Sequence, residues 1–329
     1  MKNVLITGVT GFVGSNLAKT LLENDPEIHV VGTIKNSPSI RRGSVLTEED
    51  MSNMTICVGD ILDFNLMERI VTGYEIDTIF ALASQSIVRI CNDNPFQALY
   101  TNVIGNAVFC ELARRYPKIK QVVMFSSDKS YGETDELPYK EDITPLKGLR
   151  PYESTKTLID LWYQMYQYNY KAPVTVIRSA NIFGPGDPNS SRLIPQVCTS
   201  IAKNQNPWLW NSVSEYIREF VYIDDVVDFL IRLVDTCENY PNLIPQCYNL
   251  GSGNVFKIKD MVDHILKISG SDLNIDIKNK DINFEEIKEQ YLSLRKTKEL
   301  LNWKAKYVDE KLDEALIMTY NYYSDLLRM

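Results

Sequence analysis

The sequence predicts an α/β fold, in which a doubly wound parallel sheet is joined to a smaller α/β lobe. Two observations carry this prediction: short apolar runs alternate with longer helical patterns through the first half, and the pattern loosens into loops after about residue 180. Apolar runs without polar alternation are typical of parallel strands that helices cover on both faces. We therefore expect one domain at residues 1–180 and a smaller lobe built mainly from residues 181–329, with some exchange of chain between them.

Six short runs have the composition of buried strands. They occupy residues 4–7, 29–32, 55–58, 78–81, 121–126 and 174–179. Longer helical patterns cover residues 94–116 and 152–170, and the last of the six strands follows the second of these patterns. Strands that alternate with helices in this way indicate βαβ units, whose strands lie parallel in one sheet.

The overall composition limits the classes of ligand and of setting. The chain has 329 residues and a formal net charge of −8, which argues against nucleic acid as the main ligand because phosphate contacts need a basic face. No stretch approaches the roughly 20 apolar residues that cross a membrane. The six cysteines are scattered without CxxC spacing, so we expect no metal site, no disulfide framework and a reduced, cytoplasmic setting.

Histidine is scarce, which restricts the acid–base chemistry that is available. His29 lies in an apolar strand pattern and His264 in a helical one, so we expect structural roles for both. Since histidine is the commonest general base, any proton transfer here must use Tyr, Lys, Asp or Glu.

A glycine turn opens the chain in the segment VLITGVTGFVGSNLAKTLLE, which has the pattern of a strand, a turn and an amphipathic helix. Gly8 permits the tight turn, Gly11 lets the backbone approach a pyrophosphate, and Gly14 allows close packing of helix on strand. The segment therefore predicts a dinucleotide-binding domain of the Rossmann type. The alternative is an ordinary turn between a strand and a helix.

Further motifs follow the GxxGxxG turn in an ordered series. They are GD at 59–60, ALAS at 81–84, TN at 101–102, SS at 126–127 and YESTK at 152–156. Together they resemble the extended short-chain dehydrogenase/reductase family. The resemblance implies that NAD or NADP is held by the glycine turn and by Phe12, Val13, Lys35, Asp60, Ile61, Ala81, Ala83, Asn102, Tyr152 and Lys156. Asp60 would accept a hydrogen bond from the adenine, with a cap at the end of a strand as the alternative.

Tyr152 and Lys156 are four residues apart, so both side chains lie on one face of the predicted helix. An ammonium beside a phenol stabilises the phenolate and is expected to lower the pKa of the phenol, which supplies a base. Ser127 would hydrogen-bond the oxygen that is oxidised or reduced. The alternative is an exposed Tyr/Lys pair without a catalytic role.

The segment SSDKSYG, at 126–132, places two ionisable side chains directly after the serine pair. An acid and a base at this place resemble nucleotide-sugar 4,6-dehydratases, and the pair Asp128-Lys129 resembles the CDP-glucose 4,6-dehydratase form. The resemblance implies that Lys129, or a neighbour that it orients, removes the C5 proton after C4 oxidation. Asp128, kept neutral by a raised pKa, would protonate the departing C6 hydroxyl. A surface turn with incidental charges is the alternative.

The resemblance also implies a nucleotide-sugar substrate, in contact with Ser84, Asn181, Arg192 and Arg218. It leaves open whether the hexose is glucose or N-acetylglucosamine and whether the nucleotide is CDP, GDP or UDP. A nucleotide-sugar 4-epimerase shares every feature except the need for Asp128-Lys129. A non-catalytic dinucleotide sensor is a more remote alternative, because it would have no need for Ser127, Tyr152 and Lys156.

Three questions stay open: which cofactor is bound, how many subunits assemble, and what two tryptophans do. After the second strand, Ile34 is followed by Lys35, with Arg41 and Arg42 nearby, so the choice between NAD and NADP is undecided, although tight binding and recycling of the cofactor are expected. By resemblance, the helical patterns at 94–116 and 152–170 imply a homodimer or a tetramer, with burial of their apolar residues in the core of one chain as the alternative. Trp208 and Trp210 could line a nucleotide pocket or pack in the core of the smaller lobe.

Overall fold

The computed structural model describes residues 1–36, 42–244, 246–279 and 286–328. The strands are β1 Asn3–Thr7, β2 His29–Ile34, β3 Thr55–Val58, β4 Thr78–Ala81, β5 Gln121–Ser127, β6 Val174–Ser179, β7 Asn181–Phe183, β8 Trp208–Trp210, β9 Ile217–Tyr222, β10 Cys247–Leu250, β11 Asn254–Lys257, β12 Asp276–Lys278 and β13 Glu289–Gln290. The α-helices are α1 Phe12–Asn24, α2 Glu48–Ser52, α3 Phe64–Gly73, α4 Val88–Asp93, α5 Pro95–Leu99, α6 Asn106–Arg115, α7 Pro151–Tyr170, α8 Leu193–Ala202, α9 Ile223–Asn239, α10 Ile258–Ile268, α11 Arg295–Leu301 and α12 Glu310–Arg328. A π-helix, Tyr100–Gly105, joins α5 to α6, and a 3-10 turn, Asp128–Tyr131, follows β5.

Seven parallel strands form the main sheet in the order β10-β6-β5-β4-β1-β2-β3. The direction of winding reverses between β1 and β4, and ligands of such sheets bind at this point, outside the carboxyl ends of the strands. The prediction of a doubly wound parallel sheet is confirmed, and each of the six predicted strands is present. The strands β2 and β5 continue beyond their predicted ends, to Ile34 and Ser127.

The main sheet is buried on both faces, which explains its continuous apolar runs. In β1, Val4 and Ile6 face one hydrophobic cluster, whereas Leu5 faces the other. Successive side chains of a strand point to opposite faces. When helices cover both faces, all of these side chains are buried, and apolar and polar residues do not alternate.

Residues after β6 build a second sheet around β9. The strand β11 pairs antiparallel with β9, while β7 and β13 pair parallel with it, and β8 and β12 form a separate two-stranded sheet. Two later elements nevertheless return to the first unit: β10 pairs with β6 at the edge of the main sheet, and α9 packs against α1. The division at residue 180 therefore stays a prediction, with exchange of chain across it.

The two predicted helical stretches are present in different forms. Residues 95–115 are helical throughout, but with the π-helix in their middle, and π-helical turns are frequent at functional sites. The helix α7 runs without interruption and begins with Pro151, whose missing N–H costs nothing in the first turn. Within the described ranges, no helix is long and apolar enough to span a bilayer.

Candidate active site

The glycine turn between β1 and α1 leaves its backbone open at the N-terminus of the helix. Gly8 has a positive φ of 67°, and its amide donates to the carbonyl of Thr33 at 3.0 Å. A Cβ atom on Gly14 would lie 2.5 Å from the Gly8 carbonyl oxygen, so no larger residue fits there without a shift of the backbone. These observations fit a bound pyrophosphate, because the first amides of a helix have no partner within the helix and the helix dipole favours an anion at this place.

The loop after β4 is tied to the glycine turn by the hydroxyl of Thr7. The hydroxyl oxygen accepts hydrogen bonds from the amides of Leu82 and Ala83, each at 3.0 Å. A Cβ atom on Gly8 would lie 3.2 Å from Cα of Ala83. Two segments predicted to contact a cofactor are therefore in direct contact with each other.

Four further apolar residues that the resemblance assigns to the cofactor lie around this turn and the neighbouring strand ends. Phe12 and Val13 begin α1, and Ala81 ends β4. Ile61 is buried, and its Cδ1 atom would lie 2.6 Å from a Cβ atom on Gly105 of the π-helix. Their contacts with a cofactor stay predictions.

Lys35 and Asp60 follow the ends of β2 and β3 and pair with each other. The ammonium of Lys35 lies 2.8 Å from Oδ2 of Asp60, while Oδ1 accepts a hydrogen bond from the amide of Leu62 at 3.1 Å. Burial by itself raises the pKa of Asp60, but the hydrogen bonds from Lys35 and Leu62 outweigh it and leave this pKa lowered. The sequence predicted both residues for the cofactor site but not this ion pair, which joins two adjacent strand ends.

Lys156 is buried beneath Tyr152 and anchored to the main sheet. Its ammonium donates to the carbonyl oxygen of Phe125 at 2.8 Å and lies 6.0 Å from the centroid of the Tyr152 ring. Burial lowers the pKa of Lys156 to about 8. The residues expected to form a base are thus on one face of α7, next to β5.

The expected lowering of the Tyr152 pKa is wrong for this structure. Burial raises the pKa of Tyr152 to about 12, and the charge of Arg192 and a hydrogen bond with Ser127 only partly oppose it. The reason is that burial destabilises the charged phenolate by more free energy than the positive charge and the hydrogen bond restore.

Ser127 and Asp128 are joined at the point where β5 ends. The hydroxyl of Ser127 donates to Oδ1 of Asp128 at 2.9 Å and accepts the amide of Lys129 at 3.2 Å. Oδ2 of Asp128 is buried and has no hydrogen-bond partner among the described residues. Burial raises the pKa of Asp128, and the positive charges of Lys129 and Arg218 do not cancel the effect. A buried, unpartnered carboxyl oxygen is suited to carry a proton.

Lys129 reaches away from the main sheet to a segment beside the second sheet. Its ammonium lies 3.2 Å from Oε1 of Glu286 and 3.3 Å from Oε1 of Gln290. Arg218 lies 3.4 Å from the same oxygen of Glu286. Burial by itself raises the pKa of Glu286, but these two cations outweigh it and leave the pKa lowered, so Glu286 is a carboxylate. Nothing in the sequence pointed to Glu286, which is 157 positions from Lys129.

The two arginines predicted to bind the substrate have different surroundings. Arg192 lies at the start of α8, where Nη1 contacts Oδ2 of Asp187 at 2.9 Å and Nη2 donates to the hydroxyl of Ser86 at 3.2 Å. Its charge acts on Tyr152, which places it in the neighbourhood of that phenol. It is therefore held by partners and remains partly open to a ligand.

Arg218 is almost fully buried and ties β9 to the segment before β13. Its guanidinium donates to the carbonyl oxygens of Ile217, Ile287 and Lys288, at 2.8, 2.6 and 3.1 Å. The structure thus brings Arg218 near Asp128 and Glu286, with much of its hydrogen-bonding capacity used by the backbone. Its contact with a diphosphate stays a prediction.

Asn102 connects the loop after β4 to α7. Its side-chain oxygen accepts from the hydroxyl of Ser84 at 2.9 Å and from the amide of Gln85 at 2.7 Å. Its side-chain nitrogen donates to the Gln85 carbonyl and to the hydroxyl of Thr155, both at 3.0 Å. Asn102 and Ser84 therefore hold the wall of the site, and their direct ligand contacts stay predictions.

The remaining candidates lie further from this cluster. Asn181 donates to the carbonyl of Glu219 at 3.1 Å, on the second sheet. His29 contacts the hydroxyl of Thr55 at 2.9 Å at the amino ends of β2 and β3, and His264 contacts Asp313 at 2.6 Å. Within the described part of the chain, no group of His, Cys, Asp and Glu could hold a metal ion.

The aromatic pair on β8 is half-buried. Trp208 and Trp210 meet edge to face, with ring centroids 4.9 Å apart, and the ammonium of Lys278 lies 4.5 Å above the ring of Trp208. Leu209 between them is buried in the core. This placement leaves both of the expected roles open.

Comparison with known proteins gives matches over most of the chain. A profile described as the NAD dependent epimerase/dehydratase family matches residues 4–251. A trifunctional UDP-glucose 4,6-dehydratase/UDP-4-keto-6-deoxy-D-glucose 3,5-epimerase/UDP-4-keto-L-rhamnose-reductase of Arabidopsis thaliana is 27% identical over 273 residues. That match covers 82% of this chain but only 40% of the Arabidopsis protein, so the chain spans less than half of that relative.

Two solved structures represent the two kinds of activity among the matches. A UDP-glucose 4-epimerase of Thermotoga maritima, in complex with UDP-glucose, is 25% identical with a TM-score of 0.84, and the match covers 99% of each chain. A dTDP-glucose 4,6-dehydratase of Bacillus anthracis, in complex with NAD, is 24% identical with a TM-score of 0.83 and covers 99% of this chain and 97% of that one. The likeness to the second structure concerns the fold alone.

Proposed function

The chain belongs to the NAD dependent epimerase/dehydratase family, and we propose that it is a nucleotide-sugar 4,6-dehydratase. The proposed reaction converts a CDP-, GDP- or UDP-linked hexose of the glucose or N-acetylglucosamine type to the 4-keto-6-deoxy sugar. The observation that carries the proposal is the buried Asp128, with an unpartnered oxygen and a raised pKa, directly before Lys129 in the sequence and under the influence of its charge. A 4-epimerase has no step that needs this acid.

The glycine turn supports the binding of NAD. Gly8, Gly11 and Gly14 leave room for a pyrophosphate, and Lys35 and Asp60 stand where the adenosine half would lie. When bound, the cofactor supplies an acceptor and later a donor of hydride, so it would be recycled within one turnover. Lys156 and the Thr7-held loop would border its nicotinamide half.

Tyr152 and Lys156 are proposed to remove the proton of the C4 hydroxyl. A phenol whose pKa is about 12 is a strong base once ionised but is rarely ionised at neutral pH. Lys156, with a pKa of about 8, is still largely an ammonium at pH 7 and would stabilise the phenolate as the proton leaves. Ser127 would hydrogen-bond the same sugar oxygen.

Asp128 and Lys129 are proposed to carry out the elimination. The ketone at C4 acidifies the C5 hydrogen, which Lys129 removes when it is neutral, while Asp128 gives its proton to the departing C6 hydroxyl. Glu286, whose Oε1 lies 3.2 Å from the Lys129 ammonium, would hold the Lys129 side chain in place. The products of this step are water and an unsaturated ketone, to which a hydride and a proton are then added at C6 and C5.

Substrate anchoring is proposed for Arg192 and Arg218, with Ser84 and Asn181 at the edges. Arg192 keeps part of its guanidinium accessible, whereas Arg218 would act on the diphosphate mainly through its charge. A few local cations are needed because the chain as a whole is acidic.

A homodimer is proposed from an exposed apolar surface on two adjacent helical segments. Phe96 and Ile104 lie on α5 and the π-helix, and Leu158, Leu161 and Trp162 recur at helical spacing on α7. The segments pack against each other, and the proposal is that their exposed residues form one patch. Contiguous apolar patches of this kind mark protein interfaces. Sedimentation of the purified chain should give twice the monomer mass, and a monomer at micromolar concentration would contradict the proposal.

The decisive experiment is incubation of the purified protein with CDP-, GDP-, UDP- and dTDP-hexoses, followed by mass spectrometry. A 4,6-dehydratase produces a nucleotide sugar that has lost one water. A 4-epimerase, which the Thermotoga structure makes the second candidate, gives an isomer of unchanged mass that chromatography separates. Loss of water from none of the substrates would overturn the dehydratase proposal.

A further inference from the structure

Two cations near the end of β2 could reach a phosphate on the adenosine ribose, and both have partners. Lys35 pairs with Asp60 at 2.8 Å. Arg42 donates from Nη2 to the carbonyl oxygen of Leu326, in the last turn of α12, at 3.0 Å. Arg41, the third cation that the sequence suggested, lies outside the described residues. The residue after the second strand of such a sheet faces the ribose 2′ position, which is a hydroxyl in NAD and a phosphate in NADP.

We propose that Asp60 is a specificity-determining residue for the cofactor, which keeps the Lys35 ammonium from a 2′-phosphate and so favours NAD over NADP. The proposal rests on the dinucleotide-binding part of the proposed function and is independent of the dehydration. It assigns the discrimination between the two cofactors to a carboxylate that follows β3, since residues 35–47, directly after β2, include no Asp or Glu.

The charges explain why the effect has this direction. A free ammonium would attract the 2′-phosphate, whereas an ammonium already bound to a carboxylate presents almost no net charge. The carboxylate would also repel the phosphate directly. Both side chains are partly open to water, Lys35 at 58% and Asp60 at 32% exposure, so solvent and salt reduce the interaction without removing it.

The test is a comparison of the dissociation constants of NADH and NADPH, measured by fluorescence titration of the full chain after removal of any bound dinucleotide. The wild-type protein should bind NADH more tightly. Asp60→Asn keeps the oxygen that accepts the Leu62 amide but releases Lys35, and it should shift the ratio of the two constants toward NADPH by about 5-fold at low salt. Because any lost contact with adenine affects both ligands, the ratio isolates the 2′ position.

Three further variants complete the design. Asp63→Asn makes the same chemical change at the exposed cap of α3 and should leave the ratio unchanged. Lys35→Met alone should shift the ratio further toward NADH, because it leaves the Asp60 carboxylate unpaired, and Asp60→Asn with Lys35→Met should return it to the wild-type value. A ratio unaffected by Asp60→Asn, or a shift that persists without Lys35, would overturn the inference. Failure of the wild-type chain to bind either dinucleotide would overturn the cofactor proposal as well.

Discussion

The proposed redox pair, Tyr152 and Lys156, lies on α7, and the proposed elimination pair, Asp128 and Lys129, lies in the turn after β5. Different parts of the chain hold the two pairs. Lys156 is anchored to the Phe125 carbonyl of β5, within the first 180 residues. Lys129 is anchored to Glu286 and Gln290, beside β13 of the second sheet. The anchor of Lys156 thus lies within the first 180 residues, whereas the anchors of Lys129 lie more than 100 residues later in the chain. Removal of contacts from the smaller lobe should therefore affect elimination before it affects oxidation.

Tyr152→Phe should have the largest effect, because it removes the base that the C4 oxidation needs, and the loss of water depends on that oxidation. We expect oxidation at C4 and loss of water to fall together by about 10⁴-fold, the upper end for a general base. The measurement is the absorbance of reduced dinucleotide in a single turnover, alongside mass spectrometry of the sugar. Tyr168→Phe, an exposed tyrosine on the same helix, is the control and should be neutral. Retained oxidation in Tyr152→Phe would remove Tyr152 from the redox pair.

Lys129→Met should separate the loss of water from the oxidation at C4. Loss of water should fall by about 10³-fold while reduced dinucleotide still forms, because the anchors of Tyr152 and Lys156 do not involve Lys129. The same two measurements distinguish the steps, and Lys140→Met at an exposed position serves as the control. An equal loss of oxidation would mean that the two pairs act as one unit.

Lys156 should leave a signature in the pH dependence of stability. Its pKa of about 8 in the folded protein is below the 10.5 of the free side chain, so folding disfavours the ammonium. The resulting penalty, about 3 kcal/mol, is complete below pH 8 and disappears as the pH rises from 8 to 10.5. Urea unfolding between pH 7.5 and 10 should therefore show the wild type gaining stability relative to Lys156→Met. Parallel curves for the two proteins would contradict this environment for Lys156.

Of the four predicted effects, that of Glu286→Gln should be the smallest. We expect it to slow the elimination step alone. The amide keeps the shape but loses the charge that holds Lys129, so we expect about a 10-fold lower rate of water loss and a changed pH profile, with oxidation unaffected. Glu289→Gln, exposed on β13, is the matched control. A decrease as large as that of Lys129→Met would transfer the role of the C5 base to Glu286.

The sequence was most informative where contacts are local. The turn at Gly8 and Gly14, the alternation of strands and helices and the spacing of Tyr152 and Lys156 all follow from patterns within a few residues. The doubly wound sheet and the placement of these two side chains on one face of α7 could therefore be predicted. The positive φ of Gly8 and the close approach at Gly14 confirm the physical reasons given for those residues.

Contacts between distant segments could not be predicted from such patterns. Glu286 and Lys129 meet because β13 pairs with β9, and that pairing is visible only in three dimensions. The ion pair of Lys35 with Asp60 likewise depends on the register of β2 against β3. The raised pKa of Tyr152 has the same origin, since burial is the sum of many contacts that no motif encodes.

The return of β10 to the main sheet has a consequence for dissecting the molecule. Residues 247–250 cover the edge of β6, the last strand of the predicted first domain. A fragment that stopped at residue 180 would expose the unpaired N–H and C=O groups of a strand that is buried in the whole protein, and such edges recruit strands from other chains. We expect that fragment to aggregate. A fragment suitable for study would have to keep β10 beside β6, for example by joining residues 247–250 to the first 180 residues through a new connection.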